Sequence, residues 1–229
     1  MFARAEGDDQ LDLARGAMQS VGDLLRRQTL LAQGVDLDVA RVDLVRRRGG
    51  GDDWGKVKRI QFTFNVIDKE GKPAMAAKHD WDLRAGTDTV TWNDKTVTVK
   101  LADKNDEGDA KAAYRQWVND TYWLLMPLKL LDGGVKLAHG GTQDVDGQKY
   151  EVLNMSFEGV GLTPGDRYTL YIDPAEKLVR RWDYMPSAEK KVSGTWDGYE
   201  QFGPLKLSTK HQFGERQINM TDVKVEADP

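Results

Sequence analysis

From Lys56 onward, apolar residues recur at every second position. Ile60, Phe62, Phe64 and Val66 alternate with Gln61, Thr63 and Asn65, the pattern of a half-buried antiparallel strand, and Asp68 to Pro73 supply the turn that ends it. Similar segments at 74–84, 88–92, 95–101, 134–139, 148–158, 166–172, 177–185, 191–201, 204–213 and 216–225 predict further strands. Gly86, Asn93-Asp94, Asp146-Gly147, Pro164-Gly165-Asp166, Asp173-Pro174 and Gly203-Pro204 supply turn chemistry between them. Most of these strands have no helix between them long enough for a parallel crossover, so an antiparallel sheet is the economical arrangement.

The period changes to that of a helix in three places. Leu11, Ala14, Met18, Val21 and Leu25 predict an amphipathic helix over 10–33, with Asp8 or Asp9 as its cap; Gly16 and Gly22 each weaken it by about 1 kcal/mol, so packing must hold it. Asp36 to Arg48 mixes strand and helix spacing. A helix is favoured, because Arg46, Arg47 and Arg48 would lie at its negative end and Gly49 to Gly51 would stop it. Ala110, Tyr114, Trp117, Val118, Thr121 and Tyr122 predict a helix over 109–125 with an aromatic face, capped near Asp106 and stopped by Pro127. The expected division is a helical segment at 1–50 packing on the sheet, followed by a sheet domain at 51–229 that carries the inserted helix.

Composition narrows the function. The 229 residues include 33 Lys plus Arg against 37 Asp plus Glu, a net charge of −4, and no cysteine. No basic excess exists to neutralise a phosphate backbone, so nucleic acid is excluded as an expected partner. Disulfide and zinc-thiolate scaffolds are excluded too. The longest apolar run, Tyr122 to Pro127, falls far short of the ~20 residues of a membrane span, and Met1 to Glu6 begins neither a signal peptide nor a lipid-acceptor site. A soluble chain is expected, either cytosolic or exported and written here without its leader.

Chemical motifs are thin. Gly50-x-x-x-x-Gly55-Lys56 resembles the start of a phosphate-binding loop, but Val57 stands where the magnesium-binding hydroxyl belongs, and the order is helix, loop, strand. Asp103 to Gly108 resembles a calcium loop whose twelfth position is Tyr114, not glutamate, which favours an acidic helix cap. Asn119, Asn154 and Asn219 begin glycosylation sequons, with Asn119 on the aromatic helix. His79, His139 and His211 are scattered singly. A hydrolase would need His79 to meet Asp80 or Asp82, or Asp183 to meet Asp197. No metal, cofactor or catalytic residue is expected.

The informative feature is aromatic placement. Trp81, Trp92, Trp117, Trp123, Trp182 and Trp196, with Tyr114, Tyr122, Tyr168, Tyr171, Tyr184 and Phe157, all follow residue 80. A large sheet curls, and its concave face must be filled either by these rings or by a guest.

These residues resemble a family. Trp117 to Leu130, Tyr150 to Phe157, Gly161 to Tyr168, and Tyr171-Ile172-Asp173-Pro174 with Leu178, Arg181 and Trp182 resemble uncharacterised bacterial proteins related to the LolA-like outer-membrane lipoprotein-sorting group. His79-Asp80-Trp81-Asp82 and Tyr199 to Leu207 look like further strands of that group. The resemblance implies an α+β fold, a curved antiparallel half-barrel of about nine to eleven strands with helices over its concave side. It implies a non-enzymatic carrier or envelope sensor whose hydrophobic cavity holds a lipid or an acylated protein, exported to the periplasm and in peripheral contact with the membrane or envelope proteins. A monomer is expected. The candidate wall is Trp81, Trp92, Trp117, Trp123, Met126, Phe157 and Trp182, with the helix and Met126-Pro127 as a lid. A protein-interaction module using a sheet edge or the helix at 10–33 is the alternative, and a hydrolase is a third.

Overall fold

The computed structural model describes residues 37–160, 162–163, 165–186 and 191–229, so the helix expected over 10–33 lies outside the described residues. Two helices are described, α1 (Leu37–Arg48) and α2 (Gly108–Leu125), with short 3-10 turns at Trp54–Lys56 and Met126–Leu128. The strands are β1 (Val57–Ile67), β2 (Pro73–Asp82), β3 (Thr87–Trp92), β4 (Lys95–Lys100), β5 (Val135–Val145), β6 (Gln148–Phe157), β7 (Arg167–Ile172), β8 (Val179–Met185), β9 (Val192–Thr195), β10 (Asp197–Phe202), β11 (Leu205–Phe213) and β12 (Arg216–Ala227). Of the ambiguous 36–48 segment, the described residues Leu37–Arg48 are helical.

All described strand pairs are antiparallel and form one open sheet, ordered β4-β3-β2-β1-β12-β11-β9-β8-β7-β6-β5, with β10 paired to β11 off this path. Twelve strands among the described residues exceed the nine to eleven expected. The difference arises at 191–201, read from sequence as one strand. The break falls at Trp196: its backbone N–H still bonds the Arg180 carbonyl of β8 at 2.8 Å and its side chain is in the core at 0% exposure, after which β10 pairs with β11 instead.

Hairpins form where the sequence carries residues that tolerate a left-handed backbone. Asn93 and Asp94 both have positive φ, 45° and 62°, and Asp146-Gly147 has 55° and 82°, the paired signs that match the twist of the flanking strands.

Strand alternation fixes which side chains enter the concave face. Register pairs Phe64 with Met220 and Ala77, Val90 with His79, Leu170 with Trp182, Trp182 with Gly194, and Gly194 with Phe213. These residues point to one side, toward α2. The opposite face carries polar pairs such as Arg59 with Asp80 at 2.5 Å. Around α2 the sheet curls. Trp117 on the helix meets Trp81 of β2 at 5.4 Å, while Trp123, six residues later, meets Trp182 of β8 at 4.7 Å and Phe213 of β11 at 5.1 Å. The fold is the expected open antiparallel half-barrel covered by helix.

Helix α1 joins this body through its Val42 and Val45 face and through the glycine joint that follows. Gly50 has φ +88° and lies so close to the Pro204 carbonyl that a Cβ there would overlap it, while Lys206 N–H bonds the Gly49 carbonyl at 3.0 Å.

Candidate functional site: the concave face beneath α2

Helix α2 buries Ala113, Tyr114, Trp117, Asp120, Thr121, Trp123, Leu124 and Leu125. An aspartate on such a face needs a partner, since an unpaired buried charge costs several kcal/mol. Its partner is His79, which β2 alternation points inward between Ala77 and Trp81. His79 Nε2 lies 2.9 Å from Asp120 Oδ2, and Nδ1 lies 2.8 Å from Asp88 Oδ2 on β3. Phe62 of β1 stacks beneath the ring at 4.6 Å, and Asn119 donates to the other oxygen of Asp120 at 2.8 Å. Both ring nitrogens face carboxyl oxygens, an arrangement that favours the doubly protonated, cationic imidazole, while burial raises Asp120 as well. Burial opposes this charge, but the bonds to Asp120 and Asp88 outweigh it and push His79 up to about 9. A buried Asp–His–Asp clasp thus fastens the lid helix to β2 and β3.

The expected wall residues fall into two groups along α2. At its N-terminal end, Trp81 and Trp117 meet edge to face, with Tyr114 at 5.6 Å from Trp117 and Trp54 at 6.1 Å from Trp81. Trp92, the last residue of β3, is half-buried nearby against the same core. At the C-terminal end, Trp123 sits among Trp182, Phe213, His211 at 5.4 Å and Trp196 at 6.4 Å. Met126 is fully buried in the 3-10 turn, where Pro127 ends α2 as expected. Phe157 remains half-buried at the β5–β7 side, 6.4 Å from Tyr122 and 5.9 Å from Tyr168. Five of the seven predicted wall residues (Trp81, Trp117, Trp123, Met126 and Trp182) are therefore buried, while Trp92 and Phe157 are partly open.

Sequence reasoning gives His79 the wrong partners and leaves three residues, His211, Tyr168 and Tyr122, out of the expected wall. His79 was paired with Asp80 or Asp82, but these lie on the other side of β2: Asp80 binds Arg59, and Asp82 accepts the backbone N–H groups of Arg84 and Ala85. Strand alternation already separated neighbours 79 and 80, so the available signal was Asp88, nine residues on, which the β2–β3 hairpin brings to the same face two positions from Val90, the cross-strand partner of His79. His211 was treated as isolated; it lies inside the aromatic shell. Tyr168 and Tyr122 line the open side as much as Phe157 does.

The other proposed convergence does not form either. Asp183 is satisfied on the outer face of β8 by Tyr171 Oη at 2.8 Å, Ser193 Oγ at 2.7 Å and Lys191 Nζ at 3.0 Å, and these bonds overcome burial to hold its carboxyl below the usual range. Asp197 is exposed on β10 opposite Lys210. His139 contacts Arg41 at 3.0 Å on the surface, well separated in role from His79 and His211. In the acidic loop, Asn105 donates to the Lys100 and Asp103 carbonyls and Lys104 pairs with Asp106 at 3.0 Å, so these side chains are engaged within the loop; the α2 N-cap position falls on Glu107, not Asp106.

No family model matches the chain, and no curated protein matches it in sequence. Solved structures do resemble it. A DUF1329 family protein from Desulfovibrio piger aligns over 84% of this chain and 94% of its own at 11% identity, with a TM-score of 0.48. An outer membrane lipoprotein-sorting protein domain from Vibrio parahaemolyticus aligns over 82% and 92% at 10% identity, TM-score 0.47. A LolA superfamily protein from Nitrosomonas europaea aligns over 82% and 94% at 6% identity, TM-score 0.47. The last two names fall in the group that the sequence resembles. Among the described residues no helix is long and apolar enough to cross a membrane.

Proposed function

We propose that the chain is a non-enzymatic carrier or envelope sensor that takes an acyl chain, from a lipid or an acylated protein, between its curved sheet and α2. One observation carries this reading: apolar side chains at one side of the concave face stay half-buried. The β5–β7 side of the concave face is left with half-buried apolar groups, among them Val135, Leu137, Phe157, Tyr168 and Leu131. A continuous run of rings, Phe157, Tyr168 and Trp182, leads from that side toward the core, with neighbours 5.9 and 4.9 Å apart. An apolar strip leading inward under a helix suits a flexible hydrocarbon tail, at about 0.8 kcal/mol for each methylene withdrawn from water.

In this reading the hydrocarbon lies against Phe157, Trp182, Trp123 and Met126, and Trp81, Trp92 and Trp117 form the other group of the wall, beyond the clasp. An exported, envelope location accords with the resemblance in residues 117–184. The test is a titration with a fluorescent fatty acyl probe. Wild type binds it, and Phe157→Lys, which places a charge on the open strip, weakens binding at least tenfold while leaving the fold intact by circular dichroism. Absence of binding for chains of ten to eighteen carbons would overturn the proposal.

A further inference from the structure

The C-terminal aromatic shell contains three buried polar atoms with no hydrogen-bond partner among the described residues: the indole N–H groups of Trp182 and Trp196, and Nε2 of His211. All three side chains are at most 2% exposed. They are also neighbours. The Trp182 and Trp196 rings are 5.2 Å apart, those of Trp196 and His211 4.6 Å, and Trp123 of α2 closes the group against Trp182 and His211. Each unmet group loses most of its hydration, so native interiors carry only a few; among the described residues the others are on Trp81, Trp117, Gln116 and Asp88, and this shell gathers three.

The hydrogen-bonding character of each atom is fixed. His211 Nδ1 lies 3.0 Å from the Thr195 carbonyl, which can only accept, so Nδ1 carries the hydrogen and Nε2 presents a bare lone pair. Burial, opposed by that carbonyl, lowers His211 to about 4, which keeps the ring neutral at physiological pH. The indoles can only donate. The set is therefore two donors and one acceptor in an apolar shell.

A carboxylate, ester or ether oxygen would satisfy the indoles and leave Nε2 unmet. An ammonium would do the reverse. One neutral hydroxyl has the matching complement, a hydrogen for Nε2 and two lone pairs for the indoles. We propose that the shell formed by Trp182, Trp196 and His211 is a subsite for the hydroxyl group of an amphiphile whose hydrocarbon portion lies along the Phe157–Tyr168–Trp182 strip. This rests on the carrier reading and deepens it, by making the ligand class hydroxylated rather than any acyl chain. A second source of the same hydroxyl chemistry is an internal water, and the test separates the two.

The measurement is a tryptophan-fluorescence titration with 1-decanol and with decyl methyl ether, whose chains match but whose oxygens differ by one hydrogen. The alcohol binds wild type at least tenfold more tightly than the ether, and in His211→Phe the two bind within twofold of each other. Should that variant fail to fold, indole N–H resonances of wild type serve instead: two shift downfield with the alcohol and stay in place with the ether. Equal binding of both compounds to wild type, or an alcohol preference that survives in folded His211→Phe, overturns the subsite while the carrier reading stands. Unmoved indole resonances that show contact with a long-lived water make the site an internal water only, and the subsite falls. No binding of either compound removes both readings.

Discussion

Two buried histidines of opposite character set how single residues respond to pH. His79 is raised from 6.5 to about 9, so the folded state holds its proton more tightly than the unfolded chain. Its stabilisation is complete below pH 6.5 and is lost as pH climbs toward 9. His211 is lowered from 6.5 to about 4, so its contribution is complete above pH 6.5 and is lost as pH falls toward 4. Chemical denaturation across pH 4 to 9 is expected to show greatest stability near pH 6.5, with limbs on the order of a few kcal/mol on each side. His79→Gln removes the alkaline limb and leaves the acid one. A second residue-scale expectation concerns Gly194, where an added Cβ would overlap the Trp182 indole nitrogen and lie within 3.1 Å of Phe213. Gly194→Ala should therefore cost about 1–3 kcal/mol by overpacking and change the near-ultraviolet circular dichroism of the tryptophans. Neither consequence is visible along the chain. A histidine's partners and a glycine's neighbours come from strands brought together by the sheet, and no periodicity encodes a pair such as His79 and Asp120.

At the scale of elements, the amphipathic and alternating patterns were legible. Helix α2 was expected at 109–125 and runs from Gly108 to Leu125, because its aromatic stripe and Pro127 both lie within the local sequence. The hairpin at Asn93-Asp94 was legible for the same reason, since few residue pairs accept two positive φ angles. Strand β5 was expected to stop at 139 yet continues to Val145, carried past Gly140 and Gly141 by a register shift that alternation alone does not reveal. The way α2 is fastened gives the prediction at this scale. Asp120→Ala leaves His79 charged, buried and half-paired, which should cost about 3–5 kcal/mol in unfolding free energy, read by denaturant titration at pH 6. Asp94→Gly should act in the opposite direction, raising stability by about 0.5–1 kcal/mol by relieving a φ of 62°.

Over the whole molecule, the sheet curls around α2, and rings of both groups meet the helix from strands on either side of it. The candidate site was readable as a list of aromatic residues, because those residues are concentrated after position 80. Its internal organisation was not readable: the division into two groups, the clasp between them and the half-open strip at β5–β7 all follow from curvature, a property of the closed set of strand pairings. In the proposed function a hydrocarbon chain enters by that strip. The most direct measurement is photo-crosslinking with a fatty acid carrying a diazirine near its methyl end, followed by peptide mass mapping. Labelling concentrated on Phe157, Tyr168, Trp182 and Trp123, and competed away by unlabelled fatty acid, is the predicted result. Labelling scattered over the outer face of the sheet, or confined to exposed residues such as Leu44 and Met75 and insensitive to competitor, would contradict it.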